Sequence, residues 1–288
     1  MSKSYQVLVV GGGAAGLATA ASLKKRDRSL EVAVVEPSDK HYYQPGWTMV
    51  GAGVFTKEDT IKDTDSIWPS DVIRIKDEVI KFDPKNNKVT LGNKTEVGYE
   101  MLVVASGLKL DWEAIEGLSE SLGENGVTSN YRYDLAPYTW ELVQEMNGKN
   151  AIFTQPPMPI KCAGAPQKAM YLSCDHWQKS GQLEGMNVSF CNAGPVLFGC
   201  ATYVPPLMKY VEKYGINLDF GHNLTKIDGP SKKAWFSVKK EGEDAKTIER
   251  SFDMIHVCPP QRAPDFIKNS PLANEGGWVD VNAETLQH

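Results

Sequence analysis

The stretch VLVVGGGAAGLATAA, residues 7–21, constrains this chain more than any other. A strand-like run over residues 5–10 leads directly into Gly11, Gly13 and Gly16, spaced G-x-G-x-x-G, and then into the helical pattern AAGLATAASLKK. Glycines here let the chain turn tightly and let its backbone approach a pyrophosphate at the positive amino end of the helix. A second strand, EVAVVE, ends at Glu36, where an acidic side chain accepts hydrogen bonds from ribose hydroxyls. The bland alternative is a flexible glycine loop and a solvated glutamate. The order strand, glycines, helix, strand, acid argues against it. The same stretch is too short and too glycine-rich to cross a bilayer, which takes about 20 apolar residues. The amino terminus also lacks the basic, apolar, small-residue order of a signal peptide.

Downstream, RIKDEVIKFDPKNNKVTLGNKTEVGYE reads as a three-stranded β-meander with turns at DPKNN and GNK. It leads into a buried-type strand, MLVVAS, that closes at Gly107. A meander inserted at this point is a feature of adenosine-binding domains of flavoproteins, so the expected cofactor is FAD rather than NAD. From about Gly117 the pattern restarts: a helix around DLAPYTWELVQEMNG, strands NAIFT and NVSFC, a helix PPLMKYVEKYG, then β segments through AWFSVKK. The fold class is therefore α/β, with two Rossmann-like, three-layer domains, the first carrying the meander. The expected division is 1–115 for the first part of the FAD-binding domain, 116–250 for the second domain and 251–288 for a return toward the first. A nicotinamide-binding half would repeat the glycine fingerprint after NAIFT, yet QPPMPIKCAGAP stands there, and NAGPVLFG after NVSFC fails it too. Direct reduction by a nicotinamide is disfavoured.

Five cysteines at positions 162, 174, 191, 200 and 258 form no CxxC pair, so neither a zinc site nor a secreted disulfide framework is indicated. Pro166 suits the first turn of a helix and Gly181 its end, which places Cys162 just ahead of a helix amino terminus. With Lys161 adjacent and Lys168 downstream, such a position favours the thiolate, the species reactive in disulfide exchange and toward flavins. Cys174, Cys191, Cys200 and Cys258 read as small buried hydrophobes. His176, His222 and His256 read as structural, and His41 as a packing or surface residue. A net charge of -5 and the absence of a basic run give no indication of nucleic acid.

Together, VLVVGGGAAG, VVEPSDKHYYQPGWTMVGAG, NAIFTQPPMPIKCAGAPQKAMYLS and GWVDVNAETLQH resemble the sulfide:quinone oxidoreductases of the type that includes the mitochondrial animal enzyme. The likeness runs through essentially the whole chain. It implies FAD contacts at Ala14 and Ala15, Glu36, Gln44 and Val79, besides the glycines already named. It also implies that Cys162 is one of two redox cysteines forming a disulfide or sulfur-bridged pair beside the flavin. Sulfide would add to that bridge, leaving one cysteine as a persulfide while the Cys162 thiolate attacks the isoalloxazine C4a. Two electrons would pass through FAD to a quinone, and the sulfane sulfur would leave on a small acceptor, a thiol or sulfite. In this family the sequence equivalent to WVDVNAETLQH is followed by a second FAD-binding segment, the partner cysteine and amphipathic membrane-binding helices. The expectation is a peripheral membrane protein whose partner cysteine and docking element lie past His288.

Other readings predict different features. An NADH:quinone oxidoreductase should carry the second glycine fingerprint and does not need Cys162. A flavocytochrome-type sulfide dehydrogenase differs mainly in its electron acceptor. A glutathione-reductase-like enzyme needs a C-x4-C pair that residues 37–60 do not contain. A non-catalytic flavin-binding module is the reading from another class.

Overall fold

The computed structural model describes residues 3–146, 149–239 and 244–288. They form two compact units: residues 3–42, 62–109 and 262–288 make the first, and residues 43–61 and 110–261 the second. Both are α/β with parallel strands at the centre.

In the first unit β1 (Lys3–Val10) leads through the glycine turn into α1 (Ala14–Arg26) and then β2 (Val32–Val35). There follow β3 (Ile73–Ile75), β4 (Val79–Asp83), β5 (Lys88–Leu91) and β6 (Glu96–Val104). The sheet order is β3-β2-β1-β6-β5-β4. Its first four strands are parallel and the β6-β5-β4 meander is antiparallel. All four residues of β2 are buried, as expected of a parallel strand covered on both faces. Lys24, Lys25 and Arg26 close α1, where cations meet the negative end of the helix dipole.

The stretch expected as a separate buried strand, MLVV, is instead the second half of β6, and Met101 is 61% exposed. The cause is register: β5 pairs with β6 only as far as Gly98, whereas β1 continues alongside to Val104. Past Tyr99, whose N–H still donates to the Asn87 carbonyl at 3.0 Å, this strand is paired on one side only among the described residues. Beneath the meander, Phe82, Val89 and Val97 pack with Ala263 and Ile267, and Phe82 stacks on Phe266 at 5.7 Å.

The second unit contains β7 (Val127–Thr128), α2 (Ala136–Glu145), β8 (Asn150–Gln155), α3 (Gly164–Ser180), β9 (Asn187–Asn192), α4 (Val204–Tyr214) and β10 (Asn217–Phe220). Then come β11 (His222–Asp228), β12 (Lys233–Val238), β13 (Lys246–Ser251) and β14 (Met254–His256). The all-parallel sheet runs β7-β14-β8-β9-β10, so β14 inserts between strands about a hundred residues earlier in the chain. The stretch 251–261, read above as part of a return to the first domain, thus lies within the second unit, as do residues 43–61. In the latter stretch Trp47 and Val50 pack on Ala136 and Tyr133. Asn147 and Gly148, the expected end of α2, and Lys240, the expected end of the AWFSVKK segment, lie outside the described residues.

One face of this sheet, with Phe153 and Phe190, packs under α3 through Met170, Cys174 and Trp177, whose Nε1–H donates to the Val143 carbonyl at 2.8 Å. The opposite face, with Ile152, Cys191 and Ile255, packs under Leu224 and Phe236 of the antiparallel sheet β11-β12-β13. The outer layer on that side is therefore a sheet rather than helices.

His256 ends β14 with no exposed surface, and its Nε2 accepts the Asn130 backbone N–H at 2.9 Å. Burial lowers its pKa from 6.5 to about 4. As pH falls through 6.5 the unfolded chain takes up a proton that the folded chain refuses, so stability present above that pH is lost between 6.5 and 4. The difference is worth about 3 kcal/mol in all, and about 2 kcal/mol between pH 7 and pH 5. Urea unfolding at those two pH values should show this loss in the native chain. His256→Gln, which keeps an acceptor for Asn130, should lose that part of the pH dependence.

Candidate active site

In the first unit the ends of β1, β2 and β6 meet at the glycine turn. Gly11 has φ +100° and donates its N–H to the Val35 carbonyl, while Ala105 donates to the Val10 carbonyl. A Cβ on Gly11 would lie 2.5 Å from the Ala105 oxygen, and one on Gly16 would lie 1.8 Å from the Gly11 oxygen. Both glycines are required by the packing of the turn itself. Gly13 differs, because a Cβ there meets nothing within 4 Å and its backbone is ordinary. The first turn of α1, containing Ala14, Ala15 and Gly16, has no side-chain cap and no acidic residue. Open space in front of uncapped N–H groups at a helix amino end is the cradle a pyrophosphate fills. Gly107, with φ +72°, is likewise open.

Glu36 is tied into the same turn: its Oε2 accepts the Gly12 N–H at 2.7 Å and its Oε1 the Ser38 N–H at 2.8 Å. Each oxygen keeps a further lone pair for a ribose hydroxyl. Val79 is buried in the core at the start of β4. The glycines, Glu36 and Gly107 therefore fit an adenosine diphosphate moiety such as that of FAD.

In the second unit the loop after β8 carries Cys162 to the amino end of α3. Cys162 is exposed and left-handed, with φ +61°, a conformation that costs a non-glycine residue about 1–2 kcal/mol. Its carbonyl accepts the Ala165 N–H at 2.9 Å, starting the helix. Lys161 donates its N–H to Gln261 Oε1 and its ammonium group to Gln44 Oε1, so Gln44 is brought to the cysteine loop. Desolvation lowers the Lys161 pKa. The Tyr131 hydroxyl lies 3.2 Å from both the Lys161 and the Cys162 carbonyls.

The other cysteines divide. Cys174, Cys191 and Cys258 are buried, and burial pushes each thiol up to about 12, as expected for inert core residues. Cys200, expected buried, is exposed, because it sits on the surface loop that leads from β9 into the turn preceding α4. Sequence reasoning did not single out Tyr131 or Gln261, since neither falls in a motif. Nor did it foresee that Cys258 would lie behind the Cys162 loop. Among the described residues no group of three metal-ligating side chains occurs, and no helix is long and apolar enough to cross a membrane.

Residues 5–140 match the pyridine nucleotide-disulphide oxidoreductase family. The mitochondrial sulfide:quinone oxidoreductase of Dictyostelium discoideum is 42% identical over 98% of this chain and 62% of its own length. That of Mus musculus is 39% identical over 99% of this chain and 63% of its own. The chain thus spans somewhat under two thirds of these relatives. A solved sulfide:quinone oxidoreductase from Aquifex aeolicus superposes with a TM-score of 0.82 over 98% of this chain and 65% of its own, at 21% identity, a likeness of fold.

The two kinds of glycine are separable by substitution. Gly16→Ala should destabilise the first unit by about 1–3 kcal/mol through overpacking, read as a lowered Tm. Gly13→Val should leave Tm unchanged yet weaken FAD binding by roughly tenfold or more, read by fluorescence titration.

Proposed function

The chain is a relative of the sulfide:quinone oxidoreductases along 98–99% of its length, and on that premise we propose that it takes part in flavin-dependent oxidation of sulfide to sulfane sulfur, with a quinone as electron acceptor. The observation that carries this reading is the Cys162 loop. At the end of β8, where a nicotinamide-binding domain would make a glycine turn, the chain presents an exposed cysteine at the entrance of a 17-residue helix.

Converting hydrogen sulfide to sulfane sulfur releases two electrons and two protons. FAD, when bound, would supply the carrier that takes both electrons on to the quinone. Gly11 and Gly16 shape the turn, the N–H groups of Ala14 and Ala15 beside the open space at Gly13 would hold the pyrophosphate, and Glu36 would accept from the ribose. Cys162 is the redox thiol, exposed where a molecule as small as sulfide reaches it without a large recognition pocket. Lys161 stands beside it in the chain, with its ammonium group donating to Gln44 Oε1. Gln44 holds that lysine. The sulfane sulfur leaves on a small thiol or sulfite, and quinone reduction places the protein at a membrane surface as a peripheral protein.

Purified chain loaded with FAD and titrated anaerobically with sulfide should lose the absorbance of the oxidised flavin. Cys162→Ser should retain bound FAD and lose the response to sulfide. A flavin reduced by NADH and indifferent to sulfide would overturn the proposal.

A further inference from the structure

The geometry points to Tyr131 and Gln261 as positioning residues that clamp the backbone at Lys161 and Cys162 from beneath and so hold the Cys162 thiol outward. The inference rests on the reading of Cys162 as the redox thiol and concerns how that thiol is presented.

Cys162 occupies a left-handed conformation that its side chain disfavours, and such a residue persists only where its surroundings fix it. Three contacts do so, all to backbone atoms. Gln261 Oε1 accepts the Lys161 N–H, and the Tyr131 hydroxyl is shared between the carbonyls of Lys161 and Cys162, at 3.2 Å from each. Neither residue lies near Cys162 in sequence. Tyr131 follows β7 and Gln261 follows β14, strands adjacent in the sheet, so both approach the loop from below its parallel edge. Both are 7% exposed.

The clamp is itself anchored. The Asn130 N–H donates to His256 Nε2 at 2.9 Å, and the Tyr131 N–H donates to Ser129 Oγ at 3.1 Å. The Cys258 N–H donates to Thr154 Oγ1 at 3.2 Å, and the Gln261 amide nitrogen lies 4.0 Å from Cys258 Sγ. Burial holds the Tyr131 phenol far above its ordinary pKa and the Cys258 thiol up to about 12. Both therefore remain neutral, and the tyrosine remains a donor to the carbonyls throughout the working pH range. With these contacts made to its backbone from the buried side, the Cys162 side chain faces solvent.

Cys200 provides an internal control: it is exposed like Cys162 but lies on a different loop. In the full chain, iodoacetamide labelling followed by mass spectrometry should modify Cys162 and Cys200 and leave Cys174, Cys191 and Cys258 unlabelled. In Tyr131→Phe and in Gln261→Leu, the Cys162 rate should fall roughly five- to tenfold as the backbone relaxes out of the left-handed region. The Cys200 rate should stay unchanged and the three buried cysteines silent. Gln261→Glu, which keeps an oxygen acceptor for the Lys161 N–H, should restore the Cys162 rate. An unchanged or faster Cys162 rate in both variants overturns the clamp, as does a parallel change at Cys200 or labelling of the buried thiols, which would mark general loosening. The assay uses neither sulfide nor flavin, so a wild-type chain that fails to respond to sulfide would sink the proposed function while leaving this result readable.

Discussion

The pairing of β14 with both β7 and β8 is the contact on which the chemistry of the second unit depends. In a parallel sheet every strand ends at the same edge, so the segments that follow neighbouring strands emerge side by side. β7 delivers Tyr131, β14 delivers Cys258 and Gln261, and β8 delivers the proline-rich loop with Cys162. Ile255 of β14 registers against Val127 on one side and Ile152 on the other. A slip of β14 would carry Gln261 away from the Lys161 N–H, and the cysteine loop would lose its support.

That edge also separates the thiols by environment. A buried thiol in apolar surroundings stays protonated, and an exposed one at a helix entrance beside a lysine is open to solvent and reagents. Cys162 has the second environment, and Cys258, only a side chain behind its loop, has the first. Reactivity follows where the backbone places each sulfur, since the residue type is the same. The backbone strain at Cys162 belongs to the same arrangement: an exposed, left-handed cysteine is held by hydrogen bonds from residues that are themselves fixed by the sheet.

The first unit solves a different problem. Its turn must bring three strand ends together and still leave room for a ligand. Gly11 and Gly16 serve the first need, since any side chain there would strike backbone, and Gly13 serves the second, since nothing fills the space beside it. Glu36 links the two by holding the Gly12 N–H.

Much of this follows from residues close together in the chain. The period and order of strand, glycines, helix, strand and acid specify the turn in the first unit, because that pattern depends on local backbone geometry and on residues close in the chain. The place of Cys162 ahead of α3 was legible for the same reason, from Pro166 and Gly181. Tertiary pairing alone places 251–261 in the second unit, exposes Glu100 and Met101 of β6, sets Cys200 at the surface, and brings Tyr131 and Gln261 to the cysteine loop. Those outcomes depend on which strands become neighbours, with partners about 30 to 100 residues apart in the cases of Tyr131 and Gln261. Pairing at such distances is fixed by the summed burial of both faces of the sheet, and no local pattern in SNYRYD or CPPQRA records it.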